Sequence, residues 1–182
     1  MVFLDVVYNH FGTHGNYLPA IAPIFTERHE SPWGEAINFD GPGAAVVREL
    51  VIESALYWIT EFNLDGLRFD AVHTIADDSP SHILELLAAR IRAARPHRYT
   101  HLIVENSDNQ ETWLRRNSGA EPVHYTAQWN DDFHHLLHAA ATGENTGYYA
   151  DFDNPEERGD RLGRALAEGF AYQGEIKPHE GT

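Results

Sequence analysis

The sequence predicts an α/β chain that builds part of a (β/α)8 TIM barrel, and three observations carry that reading. Short runs rich in Val, Ile, Leu and Phe recur as MVFLD, LDGLRFD and HLIVE, which is how buried strands read. Between them lie long stretches whose apolar residues return at helical spacing, so strand and helix alternate and the sheet is parallel. The chain has 182 residues, whereas a complete barrel takes about 250. Only four strand candidates are present, at residues 1–7, 66–70, 100–105 and 122–128, so one partial domain over 1–182 is expected.

After the first strand comes a connection from Tyr8 to about Pro42, rich in Gly, Pro, Asn and aromatic residues. A structureless loop of that length inside a domain is usually functional. Its Tyr17, Phe25, Trp33 and Phe39 are candidates either for stacking on sugar or for a small core of the loop itself. Residues 43–62 place Val47, Leu50, Val51, Leu56, Trp58, Ile59 and Phe62 at mostly helical spacing, so a barrel-covering helix follows with Trp58 in its core face. Asp77-Asp78-Ser79-Pro80 is expected to start a second helix, with Ile83, Leu84, Leu87 and Ile91 as its buried stripe and Arg95-Pro96 as its stop. WNDDFHHLLHAA turns from loop into helix, and Pro155 to Phe170 forms a further amphipathic helix capped by Asn154. Met1 opens directly onto a strand, and GEIKPHEGT leads into no further element, so both ends are expected to be cuts through a longer chain.

Each apolar run ends on a carboxylate: Asp5, Asp70 and Glu105. Barrel enzymes keep their chemistry at the C-terminal ends of the strands. Adjacent strands lie about 4.8 Å apart. Retaining glycosidases hold their two carboxyl groups about 5–5.5 Å apart, and inverting ones about 6.5–9.5 Å. Acids on neighbouring strand ends therefore point to a glycosidase that retains configuration. Arg68 precedes Asp70 by two residues and so shares its face. A cation favours the ionised form, which suits Asp70 as nucleophile. Ile103 occupies the same position before Glu105, an apolar neighbour that favours the protonated form, so Glu105 is the expected acid and later base. Asn9 and His10 can bind a sugar hydroxyl or order the long loop, and binding is favoured for His10. His73 and Asn106 join them as candidate binding or supporting residues. Rim carboxylates in ordinary ion pairs would explain one such acid more easily than three.

A net charge of −15 argues against nucleic acid or an anionic membrane as partner. No apolar run approaches the 18 or so residues that span a bilayer. With no cysteine the chain fits a reducing compartment, and a cytoplasmic location is expected. Twelve histidines, with His134 and His138 four apart, raise metal-assisted hydrolysis as a rival, but there is no H-E-x-x-H, no strand H-x-H and no EF-hand loop. No metal and no cofactor are expected, and phosphate-cradling glycine motifs are missing.

With DVVYNH at 5–10, GLRFDAVH at 66–73 and HLIVEN at 101–106 in that order, the chain resembles the α-amylase superfamily of glycoside hydrolases. That resemblance implies barrel strands from about three to six, Asp70 as nucleophile, Glu105 as acid/base, Arg68 orienting the nucleophile, and Asp5, Asn9 and His10 supporting them. Longer stretches, among them GNYLPAIAPIFT, SPWGEAINFDGPG, AQWNDDFHH and TGENTGYYADF, are similar to the branch that acts on maltooligosyltrehalose. They imply maltooligosyltrehalose or a related α-glucan as ligand, cut at the α-1,4 bond next to the terminal trehalose. The superfamily's third aspartate, in an N-H-D sequence, has no counterpart here, so the 182 residues by themselves are expected to be inactive. A glycogen branching or debranching enzyme and a noncatalytic carbohydrate-binding remnant stay open as alternatives.

Overall fold

A computed structural model describes residues 1–12, 14–175 and 177. Most of GEIKPHEGT therefore lies outside the described residues. By contact the chain divides into two compact units, one of residues 1–105 and 110–128, the other of 106–109 and 129–182.

In the first unit, β1 (Phe3–Val6) leads through a 3₁₀ turn at Leu18–Ala20 to β2 (Phe25–Ser31) and β3 (Gly34–Ile37). These two pair antiparallel as a separate hairpin, so the expected structureless loop from Tyr8 to Pro42 is in part ordered sheet. Alternation is broken there by Pro, Gly and a register shift between Thr26 and Glu30, which hid the strands from a periodicity reading.

Next come α1 (Ala44–Glu61), β4 (Gly66–Phe69), α2 (Ile83–Ala94), β5 (His101–Asn106) and β6 (Ala127–Asn130). The main sheet has the order β1-β4-β5-β6. β1 and β4 are parallel with Asp5 opposite Arg68, and β4 and β5 are parallel with Arg68 opposite Ile103. This is the expected α/β arrangement of a partial barrel, with one displaced element. The fourth strand forms at Ala127–Asn130 rather than 122–128, because Pro122 is used in an isolated bridge to Arg116.

β4 is buried along its whole length, as a central parallel strand should be. Gly66 is required there: a Cβ would lie 2.2 Å from the His101 carbonyl oxygen and 2.6 Å from the Phe3 ring. On α1, Ala44, Val47, Val51, Ile52, Ala55 and Ile59 face the core. Trp58 packs at its margin, whereas Leu50 is half exposed and leaves the expected stripe. Gly43 opens α1 at φ +79°, where a Cβ would also strike Pro23 at 2.6 Å.

The second helix starts later than Asp77-Pro80 indicates. Its N-cap is His82, whose ring nitrogen accepts from Leu84 N. Asp77 still serves it, since its Oδ2 accepts from Ile83 N at 2.6 Å while also holding Arg48 at 2.6 Å. Tyr125 is fully buried, donates to the Leu84 carbonyl at 2.9 Å, and its phenol is pushed up by burial.

In the second unit, α3 (Asp131–Thr142) is capped by Asn130 and ends at Gly143, and α4 (Pro155–Glu168) is capped by Asn154, as its sequence foretells. Leu136, Ala139, Phe152, Ala165, Ala171 and Tyr172 form their shared core. Buried Asp132 accepts from Asn109 Nδ2 at 2.6 Å and Tyr172 N at 3.2 Å, with Lys177 Nζ at 3.4 Å.

Candidate active site

Strand register sets the site. With Phe69 opposite Val104 in parallel pairing, the next residues on each strand are Asp70 and Glu105. Arg68 points to the same side as Asp70, and alternation along β5 puts Glu105 with Ile103 while Leu102, Val104 and Asn106 are buried on the other side.

Arg68 is the centre of the charge cluster. Its Nη1 donates to Asp70 Oδ1 at 2.6 Å and to Asp5 Oδ1 at 2.7 Å, and its Nη2 lies 2.7 Å from Glu105 Oε2. The Arg68 side chain is 9% exposed, against 56% for Asp5. Burial would weaken the guanidinium's charge, but the hydrogen bonds to Asp5 and Asp70 and the charges of Glu105 and Asp5 outweigh it and raise its pKa. The expectation that Arg68 attends Asp70 while Glu105 has only an apolar neighbour is therefore corrected. Glu105 shares Ile103's face, yet it also takes the second arm of Arg68, which the planar fork reaches across one strand spacing.

Asp70 titrates low. Burial pushes it up, and hydrogen bonds from Asn9 and Arg68, the Arg68 charge and a hydrogen bond with Glu105 together pull it below the ordinary carboxylate range. One guanidinium thus holds both Asp70 and Glu105.

Ala71 is a contributor the sequence did not reveal. It adopts φ +40°, uncommon for a residue with a Cβ, and its backbone N–H donates to Glu105 Oε2 at 2.9 Å. A main-chain donor leaves no trace in residue type, so no motif could have announced it.

Of the other expected residues, Asn9 is 3% exposed and turned inward, donating to Asp70 Oδ2 at 3.0 Å and to the Asp70 carbonyl at 2.8 Å. The sequence left two roles open for Asn9, sugar contact or ordering of the loop, and its amide hydrogens are directed to Asp70. His10 is hydrogen-bonded to Asn9 Oδ1 and stacks on Trp33 with centroids 4.0 Å apart. Together with Phe11, Asn16, Pro19, Phe25 and Glu35 they line a cleft of about 290 Å³, at the small end of the roughly 300–1,000 Å³ usual for ligand pockets. Among the four loop aromatics, Phe39 is core, Phe25 is half-buried, Trp33 is 37% exposed in the cleft, and Tyr17 is mostly exposed. His73 sits on the 3₁₀ turn Val72–Thr74 just past Asp70. Asn106 belongs to the second unit, is fully buried, and accepts from Asp108 N at 3.0 Å, a turn-capping role.

His134 and His138 instead pair with Asp131 and Glu144. Among the described residues, His29, Asp40 and Asp78 alone bring three potential metal ligands within 4.8 Å. Asp40 there already accepts from His29 Nε2 at 2.7 Å and Asp78 N at 3.0 Å, with Arg28 at 3.6 Å, so its charge is met by the protein. No helix among the described residues is long and apolar enough to cross a membrane.

No family model matches the chain. It is 45% identical over 151 residues, 83% of its length, to malto-oligosyltrehalose trehalohydrolase of Saccharolobus solfataricus. Its likeness is to the malto-oligosyltrehalose trehalohydrolases. That of Rhizobium sp. is 36% identical over 181 residues, 99% of the chain. The chain spans 26% and 30% of the lengths of these two trehalohydrolases. A crystal structure from Salmonella typhimurium, provisionally named an alpha amylase, superposes with a TM-score of 0.90 at 48% identity, over 98% of this chain and 30% of that one. The partial barrel is thus the fold shared with alpha-amylase-type enzymes.

Proposed function

We propose that these residues form the catalytic core of a retaining α-glycosidase of the trehalohydrolase type, acting on maltooligosyltrehalose. The observation that carries the proposal is Arg68, one guanidinium gripping Asp70 and Glu105 at the ends of adjacent parallel strands. Acids about one strand spacing apart, about 4.8 Å, suit the retaining geometry of about 5–5.5 Å rather than the wider inverting one.

Asp70, kept ionised by Asn9 and Arg68, attacks the anomeric carbon of the glucosyl unit next to trehalose. As that carbon–oxygen bond forms, the glycosidic bond breaks, and Glu105 delivers its proton to the departing trehalose oxygen. In the second half Glu105 takes a proton from water, the water oxygen bonds to the anomeric carbon, and Asp70 leaves. Glu105 Oε2 is occupied by Arg68 and Ala71 N, so the proton travels on the other oxygen. Trp33, partly exposed and braced on His10, offers an aromatic face for a glucosyl ring in the cleft. Location in the cytoplasm goes with the proposal and is supported by the lack of cysteine.

The 182 residues contain no N-H-D motif and span under a third of the trehalohydrolases compared, so turnover is assigned to the barrel-complete polypeptide. The test is product analysis with maltooligosyltrehalose, using the chain as given and a barrel-complete polypeptide carrying these residues, each beside Asp70→Asn. Trehalose from the complete wild-type form alone is the expected result. New α-1,6 branches would favour a branching enzyme, and binding without turnover would favour a carbohydrate-binding remnant.

A further inference from the structure

We infer that a cavity at the N-terminal end of β5, at the other end of the strands from Asp70 and Glu105, binds the phosphate of a phosphorylated sugar. Its walls include Arg92 from the last turn of α2, Arg95, Arg98, Tyr99 and Thr100 from the segment leading into β5, and Glu121. Its volume is about 390 Å³, within the roughly 300–1,000 Å³ usual for ligand pockets. Three guanidiniums against one carboxylate gather here in a chain whose net charge is −15, so the local charge runs against that of the whole.

A helix end draws cations to its carbonyls, and Arg95 is spent in that way on the Ile59 and Leu64 carbonyls and on the Asn63 side chain. Arg92 gives Nε and Nη2 to the His124 carbonyl at 3.2 and 2.8 Å. These acceptors are neutral, so they hold the two side chains in place without cancelling their charge. Among the described residues Arg92 Nη1 meets no acceptor, and neither Arg92 nor Arg95 stands in an ion pair, whereas Arg98 pairs with Asp65. Burial pushes the Arg92 pKa down, opposed by Tyr99 and Glu121 and joined by the nearby Arg116 charge, which is how a cation short of a counter-ion behaves. Thr100 is a second, independent observation. It is 3% exposed, and its hydroxyl has no hydrogen-bond partner among the described residues. An unmatched buried hydroxyl is costly, and an anion's oxygen in the cavity that Thr100 lines would accept from it. Guanidinium forks match phosphate oxygens in particular. The rest of the lining suits a sugar: exposed Glu121 can accept from hydroxyls and disfavours a bare anion, and half-exposed Tyr99 offers a ring face.

The experiment is a calorimetric titration of the barrel-complete polypeptide, at fixed ionic strength, with glucose 6-phosphate, inorganic phosphate and glucose. Saturable binding is expected for both phosphates, tighter for glucose 6-phosphate, and none for glucose at the same concentrations. Thr100→Val removes only an unmatched hydroxyl, so the fold should survive it, and glucose 6-phosphate should bind about 3- to 10-fold more weakly. Arg92→Met should weaken it about 10- to 100-fold, with the melting temperature followed because the His124 carbonyl loses its donors. Glu121→Gln should tighten inorganic phosphate and narrow the preference for the sugar phosphate. Absence of saturable binding of either phosphate at millimolar concentration would overturn the inference, and so would binding that Thr100→Val and folded Arg92→Met leave unchanged. Glucose 6-phosphate no tighter than inorganic phosphate would overturn the assignment to a sugar. The readout needs no turnover, so it stands or falls apart from the roles of Asp70 and Glu105.

Discussion

The two ends of the sheet in the first unit use arginine in opposite ways. At the C-terminal rim, Arg68 is surrounded by Asp5, Asp70 and Glu105 and makes its contacts to carboxylates. At the other end, Arg95 donates to the carbonyls of Ile59 at 2.8 Å and Leu64 at 3.2 Å, and both Arg95 and Arg98 hold the side chain of Asn63. Asn63 has φ +55°, the left-handed turn that stops α1, so Arg95 satisfies backbone a helix end leaves open, while Arg98 also pairs with the Asp65 carboxylate. The lesson is that residue type does not separate chemistry from scaffolding in a barrel: what differs is the surroundings, three carboxylates on one guanidinium at the rim against carbonyls, an amide and one carboxylate divided between two arginines at the base. Charge gathered at the rim costs stability unless balanced, and the same charge at the base secures a helix terminus.

That contrast can be broken most sharply at the rim. Asp70→Asn in the barrel-complete polypeptide should cut trehalose release by about 10⁴-fold or more while leaving the melting temperature near wild type. Retained turnover would remove Asp70 from its role. Arg68→Met should cost about 10²- to 10³-fold in kcat/KM and also about 2–3 kcal/mol at pH 7, below the usual figure for a broken buried pair because the carboxylates are partly exposed. Its stability deficit should shrink as pH falls through the lowered Asp70 value, when that carboxylate takes up a proton, and a deficit independent of pH would deny the charge network.

At the base the order reverses. Arg95→Met should lower stability by about 1–3 kcal/mol, measured by denaturant unfolding, with activity per folded molecule changed less than about twofold. A large drop in kcat would blur the division between the two ends. Gly66→Ala probes the strand that joins them and should cost a similar roughly 1–3 kcal/mol, since the added methyl meets the His101 carbonyl. The smallest effect is in acid stability of the wild type. Asp70 and Asp77 titrate below their ordinary values when folded, Asp77 because hydrogen bonds from Ser79, Arg48 and Ile83 N outweigh its burial. The folded state then binds fewer protons than the unfolded one, so their contribution is complete above the unfolded pKa of about 3.9 and fades as pH falls through the lower folded values. Melting temperatures from pH 7 to pH 2 check this, and a flat profile would contradict it.

Helical spacing located α1, α3 and α4, and apolar runs located three of the main strands, because both patterns are written in the chain. It failed for the β2–β3 hairpin, whose register shift breaks alternation, and for the start of α2, where Asp77 reaches the first turn from six residues away. Sequence by itself marked the acids near the C-terminal ends of three strands, Asp5 and Glu105 one residue before the end and Asp70 one residue past it, because each follows an apolar run. Tertiary structure alone decided that Arg68 serves Glu105 as well as Asp70, that Asn9 turns inward, and that the Ala71 main chain meets Glu105. Those contacts join residues up to 61 positions apart or arise from backbone groups common to every residue, and neither distance across strands nor the aim of an N–H is carried by residue identity.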